Sequence, residues 1–253
     1  MLGWDRASLI AREGEAVPPA AAALFRSAIG ERARRRPLQH LTGVQAFWRH
    51  EFLVTPDTLI PRPDTEILVE AALGLLKDAV RPLIVDVGTG SGCIALSLAA
   101  ARPDAEVHAV DVSRAALDVA RGNATRLRLA GRVAFHEGDL LSPIGPRAGR
   151  VDLVVSNPPY VSAEEWRGLE PEVRDHEPRL ALVPAEGAPA LYRRLLAAAG
   201  RVLRPGGSIA VEVGQGQSDE VARLAGAAGL EVGAVVADLQ GIPRVVVARR
   251  PTV

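Results

Sequence analysis

The sequence predicts an α/β protein organised on a mainly parallel sheet, and three observations carry that expectation. After Pro82 short apolar runs alternate with helical stretches, polar or glycine-rich turns divide them, and a carboxylate or amide side chain stands at the end of several runs. Such alternation places helices on both faces of parallel strands, and ligands of open α/β sheets bind outside the carboxyl ends of those strands.

Taken in order, residues 83–87 form the first strand of that sheet and 93–101 its helix, followed by a strand at 106–110 and a helix at 114–130. Further strands fall at 132–135 and 152–156. Later come a helix at 188–203, a Pro205-Gly206-Gly207 turn, a strand at 208–213 and a helix at 218–228. Strands at 230–237 and 244–248 complete the sheet.

Upstream of the sheet, residues 5–42 read as helices, with 20–29 rich in strong helix formers and Pro18 and Pro37 as breakers. The cluster Arg32, Arg34, Arg35 and Arg36 suits a helix C-terminus, where cations meet the negative end of the dipole; its alternative is a binding patch. Residues 47–59 suit a hairpin or extended connector. The segment from Ile60 through Pro61, Arg62, Pro63, Asp64 and Thr65 to Glu66 is a proline-stiffened hinge, from which Asp64 or Thr65 can cap a helix running to Leu76. The expected units are a helical module over 1–43, a connector over 44–63 and an α/β domain over 64–253.

The chain has 253 residues, 48% of them apolar, enough for one large domain with a small appendage. Thirty basic residues balance thirty acidic ones, so no overall field draws the protein to nucleic acid or an anionic membrane. A lone cysteine, Cys93, has no partner for an intramolecular disulfide and reads as a packed small residue. The N-terminus lacks a secretory layout, and no apolar run reaches the roughly 18 residues of a membrane span. A cytoplasmic monomer without stable nucleic-acid binding is expected, and the five scattered histidines suggest no metal site.

The most informative residues are Asn157-Pro158-Pro159-Tyr160, which follow the strand at 152–156. Asn carries a side-chain carbonyl and an NH₂, and each proline offers a carbonyl without an N–H, so the loop presents acceptors. Two rigidly held acceptors can grip both hydrogens of an NH₂ group on a planar substrate, with Tyr160 available to stack on that plane. The pattern suits chemistry on an amide or exocyclic amine.

A second constellation surrounds Asp86-Val87-Gly88-Thr89-Gly90-Ser91-Gly92, which closes the first strand and opens a helix. Its glycines permit close backbone approach, and helix N–H groups there suit a carboxylate or phosphate. Cys93 stands where a dinucleotide fingerprint needs its third glycine, which disfavours NAD. Asp111, one strand on, is placed to accept ribose hydroxyls. Asp139 and Leu140 follow the next strand, where Asp139 can receive an adenine amino group or the neighbouring ribose.

Together these motifs resemble class I S-adenosylmethionine-dependent methyltransferases, a seven-stranded Rossmann-like fold, and the tetrapeptide resembles their amino-methylating branch. The segments at 37–43, 60–66, 155–160 and 177–182, and Gly241-Ile242-Pro243-Arg244, are similar to the peptide chain release factor glutamine methyltransferases from about Arg32 onward. That family's N-terminal helical bundle is longer, so a shortened or absent opening helix is expected here.

The resemblance implies S-adenosylmethionine as donor, S-adenosylhomocysteine as product, and the glutamine of a Gly-Gly-Gln loop in class 1 release factors as acceptor. It implies cofactor contacts from Asp86, Gly88, Thr89, Gly90, Ser91, Gly92, Asp111, Asp139, Leu140 and Asn157. It implies catalysis by Asn157, Pro158 and Tyr160, substrate contacts from these with Pro159, Arg62 and Glu66, and docking by residues 1–43. Asp175 and Glu177 either line the substrate groove or lie in a solvated loop. The competing reading is an adenine-amino methyltransferase acting on DNA or RNA, whose flipped base the same four residues could hold.

Overall fold

The computed structural model describes residues 2–252. The chain opens with α1 (Arg6–Ala11), α2 (Pro19–Ala33) and α3 (Leu38–Thr42), then an antiparallel hairpin of β1 (Val44–Phe47) and β2 (His50–Leu53). A 3-10 turn over Pro63–Thr65 leads into α4 (Glu66–Leu75). Then follow β3 (Leu83–Val87), α5 (Cys93–Ala101), β4 (Glu106–Asp111), α6 (Arg114–Arg126), β5 (Val133–Glu137) and β6 (Val151–Ser156). After α7 (Ala163–Gly168) and α8 (Pro171–Arg174), the chain ends in α9 (Ala188–Val202), β7 (Leu203–Glu212), α10 (Ser218–Ala227), β8 (Glu231–Ala237) and β9 (Pro243–Arg249).

The main sheet has seven strands in the order β5-β4-β3-β6-β7-β9-β8. Every pair from β5 to β7 is parallel, and β9 runs antiparallel to both β7 and β8. From β3 the chain moves outward to β4 and β5 on one side, then returns to place β6 on the other. That reversal opens a crevice at the carboxyl ends of β3, β4 and β6.

The strand sequences are apolar because both faces are covered. Along β3, Leu83, Val85 and Val87 point into a core with Tyr192, Leu195 and Leu196 of α9 and Leu224 of α10. Ile84 points the other way, into a core with Leu68 of α4, Leu96 and Leu98 of α5, and Phe47 and Phe52 of the hairpin. The hairpin is tied down by Asn123, whose Oδ1 accepts from Leu53 N at 2.7 Å and whose Nδ2 donates to Leu53 O at 3.0 Å.

Several elements differ from the sequence expectation. The Pro205-Gly206-Gly207 turn lies inside β7 as an irregularity: Val151 pairs with Leu203 while Leu153 pairs with Ser208, and the glycines bond across to Arg250. Helix α6 stops at Arg126, because Arg128 takes a φ of 60° and the Leu129 N–H turns back to the Ala124 carbonyl. Neither Asp64 nor Thr65 caps α4 with its side chain; both are drawn into longer-range contacts described below. The arginine cluster is engaged in ion pairs within the fold, Arg32 and Arg35 pairing with Glu172 and Arg34 and Arg36 with Glu31. Residues 161–187 carry α7, whose Ser162 and Glu165 form a capping box, and α8.

Candidate active site

The crevice is a cavity of about 410 Å³ lined by residues from the hinge, the glycine loop, the ends of β4 and β6, and residues 178–194. It lies where the strand order reverses, and its wall is far more apolar than polar, as small-molecule sites are. The described residues contain no cluster of three His, Cys, Asp or Glu able to hold a metal ion.

The glycine loop is held from beneath. The N–H groups of Gly88 and Thr89 both donate to the Val110 carbonyl, at 2.8 and 3.0 Å, which curls the loop back over β4. Asp86 is fully buried below it; its Oδ2 accepts from Thr89 Oγ1 at 2.6 Å and from Ala95 N at 3.1 Å, while Oδ1 has no partner among the described residues. Burial pushes the Asp86 carboxyl up to about 7, against those two hydrogen bonds. One N–H in the first turn of α5 is thus satisfied by the protein's own carboxylate.

Asp86 does not line the cavity, and neither does Gly92, whereas Gly88, Thr89, Gly90 and Ser91 do. Gly92 serves packing: its φ is 81°, and a Cβ there would stand 3.1 Å from Ala120 Cβ and 3.1 Å from Leu96 Cδ1. Gly92→Ala should therefore lower stability by about 2 kcal/mol, from left-handed strain plus overpacking against α6. A shift of the denaturant midpoint at constant slope checks it, and an unmoved midpoint would contradict it.

Asp111 ends β4 at the cavity wall, its Oδ2 accepting from Gly90 N at 2.9 Å and its Oδ1 from Ser113 N at 2.9 Å. Burial raises its carboxyl above the ordinary range, and the N–H groups of Ser113, Gly90 and Val112 oppose the shift. Leu140 and Asp139 also line the cavity, but the Asp139 carboxylate is paired with Arg194, which pairs in turn with Glu186. The burial of Cys93 pushes its thiol up to about 12, so it is a packed residue and not a reactive thiolate.

Asn157, Pro158 and Pro159 line the cavity where β6 ends. Asn157 Nδ2 donates to Thr65 Oγ1 at 3.1 Å, and no donor among the described residues engages its Oδ1. No backbone N–H of the described residues donates to the Pro158 carbonyl. Tyr160 is not a lining residue. Its carbonyl accepts from Gln217 Nε2 at 3.1 Å, and its ring lies so near Gly214 that a Cβ there would come within 3.0 Å of it. The ring thus anchors the loop to the segment after β7, and burial pushes its hydroxyl up to about 12.

The hinge supplies another wall. Arg62 lines the cavity and donates to Glu177 Oε1 at 2.5 Å, while Glu177 Oε2 accepts from Ile60 N at 3.0 Å. Glu177 is buried, so it is neither a groove residue nor part of a solvated loop; Asp175 is exposed and pairs with Arg174. Removing Arg62 would leave a buried carboxylate with one N–H, so Arg62→Ala should cost about 2 kcal/mol and loosen residues 175–182. Chemical denaturation and hydrogen exchange over that segment read both effects; unchanged protection would contradict the clamp. Glu66 does not line the cavity: its Oε1 accepts from Trp48 N at 2.8 Å, fixing the hairpin turn to α4. Asp64 pairs with Arg244 at 3.0 Å, joining the hinge to β9.

Two family models match the chain: residues 64–168 match the methyltransferase small domain and residues 1–43 the PrmC N-terminal domain. Among curated relatives, the release factor glutamine methyltransferase of Moorella thermoacetica is 48% identical over 233 residues, 90% of this chain and 81% of that one. The chain belongs to the release factor glutamine methyltransferase family. The family member from Cereibacter sphaeroides is 44% identical over 249 residues, covering 98% of this chain and 86% of that one.

Solved structures extend the likeness to the fold. TrmN from Thermus thermophilus is 26% identical at a TM-score of 0.52, covering 73% of this chain and 48% of that one. A methyltransferase from Pyrococcus furiosus, 17% identical, superimposes at a TM-score of 0.57 over 88% of this chain and 98% of that one. The seven-stranded sheet with its reversed β9 is thus the class I methyltransferase fold. Glu212 is the site neighbour that the motifs did not single out, while Thr65 and Glu177 read in the sequence in other roles, as a helix cap and as a groove or loop residue. Glu212 had a signal, since it is an acidic residue at the end of an apolar strand, as Asp111 is.

Proposed function

We infer that this protein transfers the methyl group of S-adenosylmethionine to the side-chain amide nitrogen of a glutamine in a peptide chain release factor, within the Gly-Gly-Gln loop of a class 1 factor. The observation that carries the reading is the posture of Asn157. Its Nδ2 donates to Thr65, its Oδ1 remains an acceptor that no described donor engages, and both Asn157 and Pro158 line the cavity. A primary carboxamide has two N–H donors to meet two such acceptors.

The cavity's chemistry fits the cofactor. Gly88 and Gly90 keep side chains out of the floor, and the Asp111 carboxylate at the end of β4 is an acceptor suited to ribose hydroxyls. Thr89, Ser91, Asp139 and Leu140 complete that side of the cavity. When bound, the cofactor supplies a sulfonium methyl carbon as electrophile, to which the amide nitrogen lone pair bonds as the carbon–sulfur pair returns to sulfur.

An amide nitrogen is a weak nucleophile because its lone pair is shared with the carbonyl, so the protein's contribution is placement. Asn157 Oδ1 and the Pro158 carbonyl each accept one amide hydrogen, fixing the nitrogen's direction of attack. As positive charge grows on that nitrogen these acceptor dipoles strengthen their hold, without a charged base at the reacting centre. The nitrogen then sheds one proton to solvent. Placement of this kind removes on the order of 7 to 11 kcal/mol of the barrier. Pro158, Pro159, Pro178, Leu180 and Pro184 give the walls an apolar surface.

The test is transfer of label from S-adenosylmethionine to a class 1 release factor, to a Gly-Gly-Ala variant of it, and to an adenine-containing oligonucleotide. Label confined to the factor with the intact glutamine is expected. Label on the oligonucleotide, or equal label on the alanine variant, would overturn the reading.

A further inference from the structure

Behind Asn157 lies a carboxylate that the reaction as described leaves unused. Glu212 is the last residue of β7 and is 2% exposed. Because Ser156 of β6 pairs with Val211, Glu212 stands level with Asn157 on the adjacent strand. Its Oε2 is buried with no hydrogen-bond partner among the described residues, and no cation there forms an ion pair with it. A buried carboxylate without a counterion is costly to keep, which marks Glu212 as a candidate for a role in function.

We propose that Glu212 is a positioning residue which, acting through the Thr65 hydroxyl, determines which end of the Asn157 amide faces the substrate. The inference rests on the glutamine-amide clamp described above. Thr65 Oγ1 accepts from Asn157 Nδ2 at 3.1 Å, so the hydroxyl's own proton must be directed elsewhere. Glu212 stands level with Asn157 across the sheet, and both Asn157 and its partner Thr65 lower the proton affinity of the Glu212 carboxyl, whose Oε2 is left open to receive the Thr65 proton. An ionised carboxylate only accepts, so in the proposed relay Asn157 Nδ2 donates to Thr65, the Thr65 hydroxyl turns its proton toward Glu212, and Asn157 Oδ1 is left for the cavity. A protonated Glu212 can donate instead. The Thr65 hydroxyl then turns its proton toward Asn157, the amide reverses, and an NH₂ meets the substrate's NH₂.

The direction becomes a dependence on pH. Burial pushes the Glu212 carboxyl up to about 7, opposed by the polar side chains of Thr65 and Asn157. The charged and titratable groups facing it are Asp64 of the hinge, Arg244 of β9, Tyr160 of the loop, Tyr192 of α9 and Cys93 of α5. Asp64 raises its proton affinity and Arg244 lowers it. The productive form is the ionised one, so turnover is fully present above neutrality and falls as the pH drops through the folded value.

The experiment measures kcat and the KM for release factor as a function of pH in the wild type, Glu212→Gln, Thr65→Val and Thr65→Ser, with S-adenosylmethionine affinity and Tm as controls. Glu212→Gln, which can donate as well as accept, should lower kcat roughly tenfold to a hundredfold and erase the acid limb near neutrality, with cofactor affinity unchanged. Thr65→Val should erase the limb and Thr65→Ser should keep it. If Glu212→Gln unfolds, the Thr65 pair decides: a limb that persists in Thr65→Val overturns the relay. Wild-type kcat and an unshifted limb in Glu212→Gln overturn it as well. Asn157→Ala separates the two levels. Full turnover in that variant defeats the clamp itself, whereas an inactive Asn157→Ala beside a normal Glu212→Gln defeats only the relay.

Discussion

Asn157→Ala is expected to lower kcat by about 10² to 10³ while leaving S-adenosylmethionine affinity within a few-fold of wild type. The magnitude is that of removing one oriented polar group at a reacting centre in a water-poor site. The substitution deletes Oδ1, which the structure leaves free, and also the Nδ2 donation to Thr65 at 3.1 Å. It removes no apolar contact from the two sheet cores, to which Asn157 does not belong. Stability should therefore change little, and single-turnover methyl transfer to a release factor checks the loss directly. Because the loss falls on orientation and not on encounter, kcat should fall more than KM rises. Unchanged turnover would remove the basis for the amide clamp.

Asp111→Ala should weaken S-adenosylmethionine binding by roughly 10² to 10⁴. Two hydrogen bonds from ribose hydroxyls to an ionised carboxylate contribute about 1.5 to 3 kcal/mol each, and tenfold in affinity is 1.4 kcal/mol. Asp111 also receives Gly90 N and Ser113 N, both at 2.9 Å, so alanine should soften the glycine loop in the free protein too. The two contributions separate experimentally. The Tm of the free protein reports the lost loop contacts, and the added stabilisation at saturating cofactor reports the lost ligand contacts. Calorimetric affinity within threefold of wild type would show that this carboxylate does not hold the ribose.

The sheet was legible in the sequence because β3 and β6, buried almost throughout, read as apolar runs, and β3, β4 and β7 each lead through a turn into a helix. The strand-end rule then pointed to Asp111, Asp139 and Asn157, and the structure brings all three to one cavity wall with Gly88 and Gly90. The same rule applied to β7 would have found Glu212.

What stayed hidden depends on contacts between distant positions. Arg62 meets Glu177 across 115 residues, and Asn157 meets Thr65 across 92. No local pattern distinguishes a threonine that caps a helix from one that accepts from an asparagine far along the chain. Glu66 reads as a dipole-complementing first-turn acid and occupies that position, yet its carboxylate is taken by the hairpin at Trp48. Tyr160 looks like a stacking platform beside a polar loop; in the structure its ring packs close to Gly214, a contact that no local pattern announces.

The most direct test of the central claim is a crystal structure with S-adenosylhomocysteine and a release factor fragment carrying its glutamine. The glutamine amide nitrogen should lie within hydrogen-bond reach of both Asn157 Oδ1 and the Pro158 carbonyl, on the line toward the cofactor's sulfur. A fully liganded complex in which Asn157 presents Nδ2 to the cavity, or in which the glutamine side chain is held by other groups, would contradict the account.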